Sequence, residues 1–154
     1  MADCRAAFEP AVLRLLGSSA CGPVLRAGYT DASRSLVATV GIAFLGTNAA
    51  AERAVGRATE GERSDLRPHA VAFPGTAAAG FGDSQRMAFR VFASPDAPYL
   101  TFAVVGFSDG RPAVADPGTD AVKQSGAQLA VVDLAEMLDR RVGQATDALW
   151  AGSG

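Results

Sequence analysis

The two cysteines of this chain, Cys4 and Cys21, carry its clearest chemistry. They bracket a short apolar segment, Arg5 to Ala20, and no third cysteine competes for either thiol. Two cysteines spaced to close one loop are most simply interpreted as a disulfide, and disulfides persist outside the reducing cytosol. We therefore predict a Cys4–Cys21 bridge, which contributes about 3 kcal/mol in the chain-entropy model, and an extracytoplasmic location. Two unrelated thiols, or metal or redox chemistry, are the open alternatives.

His69 is the only histidine and the only candidate base for a Ser-His-Asp hydrolase. It follows Pro68 and precedes a short apolar run, where a histidine at a strand edge is the commoner explanation. The chain has neither a Gly-x-Ser-x-Gly elbow nor the lysine and hydroxyl residue of a phosphate-binding loop. A cleft that joined His69 to Asp or Ser side chains would favour an enzyme.

Carboxylates are the other candidate catalytic or metal-binding groups. Asp109, Asp116 and Asp120 fall in one turn-rich stretch, where turns and helix caps explain aspartates. Their spacing is not that of an EF-hand calcium loop. We therefore predict no catalytic residue, no cofactor and no metal site, and expect a protein that is not an enzyme.

Composition limits the classes of partner. The net charge is -2, and acidic and basic residues are interspersed without a basic stripe, so we predict no nucleic-acid partner. The 154 residues suit one domain, predicted as residues 1–154. The sequence contains neither a long apolar span nor a signal peptide, so a membrane tether, if the protein has one, is expected outside this chain.

Aromatic residues flank a loop and populate the second half of the chain. Core packing accounts for most of them, but an aromatic face left uncovered would bind a partner or a ligand. The candidate binding surface consists of Phe73, Phe81, Phe92 and Tyr99.

Two segments predict similar β-hairpins. Val24 to Ile42 and Phe89 to Phe107 each contain two β-prone runs joined by a turn with an aspartate. A constant offset aligns several residues of the two segments, among them Gly41 with Gly106. These glycines are expected to mark bulges or close approaches in the second strand of each hairpin.

The remaining elements follow from periodicity and capping. Helices are predicted from Glu9 to Leu16, from Asn48 to about Thr59, and in the last third of the chain. The terminal helix has the clearest apolar stripe: Val131, Leu134, Leu138, Val142 and Leu149. His69 to Phe73 is predicted as a short strand, and Gly75 to Gly82 as a flexible loop.

This succession predicts an α+β fold of order α-β-β-α-β-β-β-α, with an antiparallel sheet of about five strands and helices packed on it. The element order resembles that of profilin-like, roadblock and PAS-type domains. The cysteine pair, the first hairpin and the alanine and arginine bias, with Lys123 as the single lysine, resemble those of uncharacterised extracytoplasmic domains of secreted or membrane-anchored proteins from high-GC bacteria. Neither resemblance carries site residues.

Three functional hypotheses follow. The first is a non-catalytic extracytoplasmic sensing or protein-interaction domain that binds on its sheet face or beside the Gly75 to Gly82 loop. The second is an α+β domain that binds a small molecule, with a homodimer as one form of it. The third, which applies if the cysteines are reduced, is a cytoplasmic roadblock-like partner protein.

Overall fold

The computed structural model describes residues 3–16, 21–52, 67–94, 97–112 and 126–151. In these ranges the fold is α+β, as predicted, with one antiparallel sheet of four strands in the order β1-β2-β4-β3. The strands are β1 (Cys21–Thr30), β2 (Leu36–Leu45), β3 (Arg86–Ala93) and β4 (Tyr99–Phe107). The helices are α1 (Pro10–Leu16), α2 (described at residues 48–52) and α3 (Gly126–Ala151), and 3-10 turns lie at Cys4–Ala6 and Asp83–Gln85.

Both predicted hairpins form, and their second strands pair along the centre of the sheet. The expected close approaches are also present. A Cβ atom on Gly41 would lie 2.3 Å from Cζ of Phe102, and one on Gly106 would lie 2.2 Å from the carbonyl oxygen of Gln85. A side chain at either position would therefore displace a buried ring or the backbone of the neighbouring turn.

The strand predicted at His69 to Phe73 does not form, because these residues pair with no strand of the sheet, and the described ranges contain four strands where about five were predicted. The N–H groups of this segment bond to scattered acceptors instead of a neighbouring strand. They are Ala7 O for His69, Asp83 Oδ1 for Ala70, Thr39 Oγ1 for Val71 and Ala78 O for Phe73. The segment therefore lies across the sheet as a strap, and the described order is α-β-β-α-β-β-α.

The sheet is covered on both faces. On one face, which we call the α1 face, the N-terminal segment and α1 pack on β1, β2 and β4 around Phe8 and Phe102, whose rings meet edge to face at 5.0 Å. The segment predicted as a flexible loop packs beside them, where Ala78 and Phe81 are buried. Helix α3 packs on the opposite face, which we call the α3 face.

The predicted disulfide is present and joins Cys4 to Cys21, with their Cα atoms 5.9 Å apart. Cys4 is buried in the first 3-10 turn, and Cys21 is the first residue of β1. The bridge therefore ties the N-terminal segment to an outer strand of the sheet.

Helix α3, the terminal helix predicted from its apolar stripe, has 26 residues. Gly126 is its first residue, and Gly143 lies within it without ending it. None of the helices in the described ranges combines the length and apolarity needed to cross a bilayer.

Candidate functional site

Helix α3 covers only part of the face on which it packs. Its buried residues Val131 and Ala135 contact small apolar side chains of β2, β3 and β4. These are Ala38, Val40, Ala88, Ala103 and Val105. No residue of β1 belongs to this cluster, so no helix of the described ranges packs on the α3-face side chains of this outer strand.

The exposed large apolar side chains of the described ranges belong either to the strands on this face or to α3. Tyr29 pairs with Ala38, which packs against α3, and alternation along the strands places Leu25 and Phe44 on the same face. The complete set is Leu25, Tyr29 and Phe44 from the strands, and Leu129 and Met137 from α3. We call the surface formed by these five residues the trough.

Tyr29 and Met137 of the trough line a groove of about 300 Å³ between the first hairpin and α3, which we call the hairpin–helix groove. It is lined by Tyr29, Thr30, Asp31, Leu36, Val37, Ala38, Val105, Ala130, Asp133, Leu134 and Met137. Among the described lining residues two aspartates are the only charged ones, and most of the others are apolar. The groove therefore presents an apolar floor with negative charge at its rim.

The position of Asp31 is fixed by the turn between β1 and β2. Its Oδ1 accepts a hydrogen bond from the N–H of Leu36 at 2.8 Å, and its Oδ2 accepts from the hydroxyls of Ser33 and Ser35. These bonds, that of Ser33 first, lower the pKa of Asp31 to about 2. The carboxylate is therefore ionised at any physiological pH.

Asp133 belongs to a helical stripe that sequence analysis did not single out. Leu129, Asp133 and Met137 are spaced by four residues and share one face of α3, beside the predicted core stripe. Asp133 is exposed and makes no hydrogen bond or salt bridge with another described residue. The signal available in the sequence was the presence of large apolar residues outside the core stripe.

A second groove, of about 260 Å³, lies on the other side of β1 and is called the loop groove here. The ring of Phe73 packs so closely on Gly28 that a Cβ there would lie 2.5 Å from the ring. Gly28, Tyr29, Thr30, Phe73, Thr76, Ala77 and Ala78 line this groove. Tyr29 and Thr30 therefore border both grooves.

The four aromatic residues predicted as a binding surface do not share one location. Phe81 and Tyr99 are buried, and Phe92 is half-buried with the guanidinium of Arg90 5.0 Å from its ring centre. Phe73 alone borders a groove. A binding role for this set remains a prediction, and the trough is formed by other residues.

His69 lies in a polar cluster outside both grooves. Its Nδ1 is 2.6 Å from Oδ2 of Asp83, and Arg86 Nη2 is 2.9 Å from Oε1 of Glu9. Arg86 also donates to the carbonyl oxygen of Pro68 at 2.9 Å. The cluster therefore joins three separate segments: the entry of α1, the strap and the start of β3.

Metal binding is the chemistry that this cluster suggests first. Glu9, His69 and Asp83 offer ligand atoms within 4.8 Å of one another. However, the guanidinium of Arg86 already lies against both carboxylates, at 2.9 Å from Glu9 and 3.6 Å from Asp83. The guanidinium of Arg86 thus supplies the positive charge beside these two carboxylates, and the cluster is explained as a structural contact between segments. We call the four residues Glu9, His69, Asp83 and Arg86 the clasp.

The His69–Asp83 pair is the contact that would orient a histidine base. No Ser, Thr or Cys side chain of the described ranges donates to this histidine. The pair is therefore explained by the clasp, in which Asp83 also accepts from the N–H of Ala70 at 2.9 Å.

Comparison with models of known protein families, with curated proteins and with solved structures finds no match to this chain.

Proposed function

We propose that this chain is a non-catalytic extracytoplasmic interaction domain, secreted or membrane-anchored, that binds a protein partner through the trough on its α3 face. The single observation that carries this proposal is the placement of the exposed large apolar side chains. In the described ranges these side chains lie on the α3 face of β1 and β2 and on one face of α3, and two of them, Tyr29 and Met137, line a groove whose described lining is mostly apolar. Exposed apolar side chains grouped on one face are more typical of interaction sites than scattered ones.

The disulfide supports the compartment. Cys4 and Cys21 are bonded, and structural disulfides are found mainly in secreted, periplasmic and surface proteins. The bond holds β1, the strand that contributes Leu25 and Tyr29 to the trough. The disulfide thus anchors the strand that forms one wall of the proposed site.

A small apolar ligand is the second candidate for the same site. A volume of about 300 Å³ is at the lower end of the range for small-molecule pockets. The two carboxylates at the rim would then orient a ligand that carries a polar or cationic end.

The test is titration of the full, disulfide-bonded chain with the neutral apolar fluorophore N-phenyl-1-naphthylamine. We expect its fluorescence to rise on binding, and Met137→Gln to weaken the affinity by about tenfold, because a buried apolar contact is replaced by an amide. Ala77→Gln, in the loop groove, is the matched control and should leave the affinity unchanged. Amide NMR shifts of Tyr29, Leu36 and Met137 locate the probe.

Two results would overturn the proposal. One is the absence of any fluorescence rise with the folded chain. The other is an equal affinity for wild type and Met137→Gln, with amide shifts confined to residues outside the trough.

A further inference from the structure

The part of the α3 face that no described residue covers has the width of one helix. Neighbouring strands lie about 4.8 Å apart, and packed helices lie about 8–10 Å apart, so a helix beside α3 would sit roughly two strands away from it. Helix α3 packs mainly on β3 and β4, which leaves β1 and the outer side of β2 at that distance. The face therefore has room for a second helix alongside α3.

The two walls of the trough have matching lengths. Leu25 and Tyr29 are four residues apart on a strand, which is about 13 Å. Leu129 and Met137 are eight residues apart on a helix, which is about 12 Å. Two turns of a helix span the same length and present apolar side chains at positions i, i+4 and i+7.

The charges of the groove indicate the chemistry of that helix. Asp31 and Asp133 are the only charged residues in the described part of its lining, and neither forms a salt bridge with another described residue. A second copy docked groove to groove would bring four carboxylates together without a cation in the lining. A helix with lysine or arginine beside its apolar stripe would instead meet both carboxylates with opposite charge.

From this width, length and charge we propose that the trough receives a basic amphipathic helix of a partner protein, which packs alongside α3 and completes the layer on that face. The proposal rests on the proposed function, because it names the occupant of the same site. In the complex, apolar side chains of the partner cover Leu25, Tyr29 and Met137, and its basic residues lie next to Asp31 and Asp133. The interaction is a helix in a groove, with a β-strand as one wall.

The test uses three fluorescein-labelled peptides of 16 residues and the full, disulfide-bonded chain. The first peptide has leucine at i, i+4, i+7 and i+11 on an alanine background with flanking lysines. The second replaces every lysine with glutamate. The third has the composition of the first in an order without a stripe. Binding is measured by fluorescence anisotropy, and the site is located by amide NMR shifts.

We expect the basic striped peptide to bind at least tenfold more tightly than either of the others, with shifts at Tyr29, Ala130 and Met137. Asp133→Asn should weaken that binding by about fivefold, since one desolvated charge contact is lost, and should leave the acidic peptide unaffected or slightly favoured. Arg141→Gln is the matched control: it changes an exposed charge on the same helix outside the groove lining, and should change the affinity by less than twofold.

The outcomes separate this inference from the function on which it rests. If N-phenyl-1-naphthylamine binds in the groove but the striped and scrambled peptides bind equally, the site stands and the helical occupant is wrong. If the acidic peptide binds as tightly as the basic one, the charge argument is wrong. If neither the fluorophore nor any peptide binds at the trough, both proposals fail.

Discussion

The hydroxyl oxygen of Thr39 accepts a hydrogen bond from the backbone N–H of Val71 at 3.0 Å, although the two residues are 32 positions apart. Thr39 lies in the middle of β2 and is completely buried. Val71 lies in the strap that crosses the α1 face. The Thr39 hydroxyl thus accepts the hydrogen bond of a backbone N–H that would otherwise need a partner on a neighbouring strand. With the other acceptors of the strap, this contact explains why residues 69–73 stay outside the sheet.

Substitution of the two buried threonines should show how much stability depends on whether the hydroxyl has a hydrogen-bond partner. Thr39→Val leaves the N–H of Val71 without its acceptor, and we expect it to lower the free energy of unfolding by about 1–3 kcal/mol. Thr101 is equally buried, but its Oγ1 has no hydrogen-bond partner in the described part of the chain. Thr101→Val should therefore be neutral or stabilise by about 1 kcal/mol. Urea denaturation measures both, and equal losses would contradict this assignment.

The disulfide should stabilise the chain through its 17-residue separation. We expect Cys4→Ser, Cys21→Ser and the double variant each to lose about 3 kcal/mol, because the single bond is lost in all three. Intact-mass analysis of protein kept in its native redox state, alkylated with and without prior reduction, should show both thiols protected until reduction. Free alkylation of both thiols would contradict the extracytoplasmic proposal and favour a cytoplasmic partner protein.

Removal of the Arg86 charge should lower the free energy of unfolding more than removal of an exposed charge does. Its side chain is 10% exposed and bonds to Glu9 and to the carbonyl oxygen of Pro68. Arg86→Met leaves both groups without this partner, so we expect a loss of about 2–4 kcal/mol in thermal or urea unfolding. Arg140→Met is the control, because Arg140 pairs with Glu136 on the exposed side of α3 and should cost about 0.5 kcal/mol or less. Similar losses from both variants would refute the clasp.

The Asp31 turn should make stability depend on pH in the acid range. The folded-state pKa of Asp31 is lowered to about 2, first by the hydroxyl of Ser33, below an unfolded value of about 3.9. An acid with a lowered pKa stabilises the fold above its unfolded pKa, and this contribution is lost as the pH falls from about 4 towards 2. Asp31→Asn should therefore reduce the slope of unfolding free energy against pH in that window. An unchanged slope between pH 4.5 and 2 would contradict the turn geometry.

The sequence by itself determined the parts of the protein that local patterns encode. Helical spacing with Pro10 in the first turn located α1, alternating β-prone runs located both hairpins, and two lone cysteines predicted their bond. The sequence also predicted the close approaches at Gly41 and Gly106. Only a residue without a side chain allows a neighbouring ring or backbone to lie so near.

Only the tertiary structure decided which apolar residues remain exposed. Tyr29 and Met137 have the same local signature as core residues, and they are exposed in the described part of the chain because α3 packs on β3 and β4 and not on β1. Phe81 and Tyr99, predicted as part of a binding surface, are both buried, and the strap and the loop pack against Phe81. The placement of a helix across a sheet depends on packing between segments distant in sequence, which no local period records.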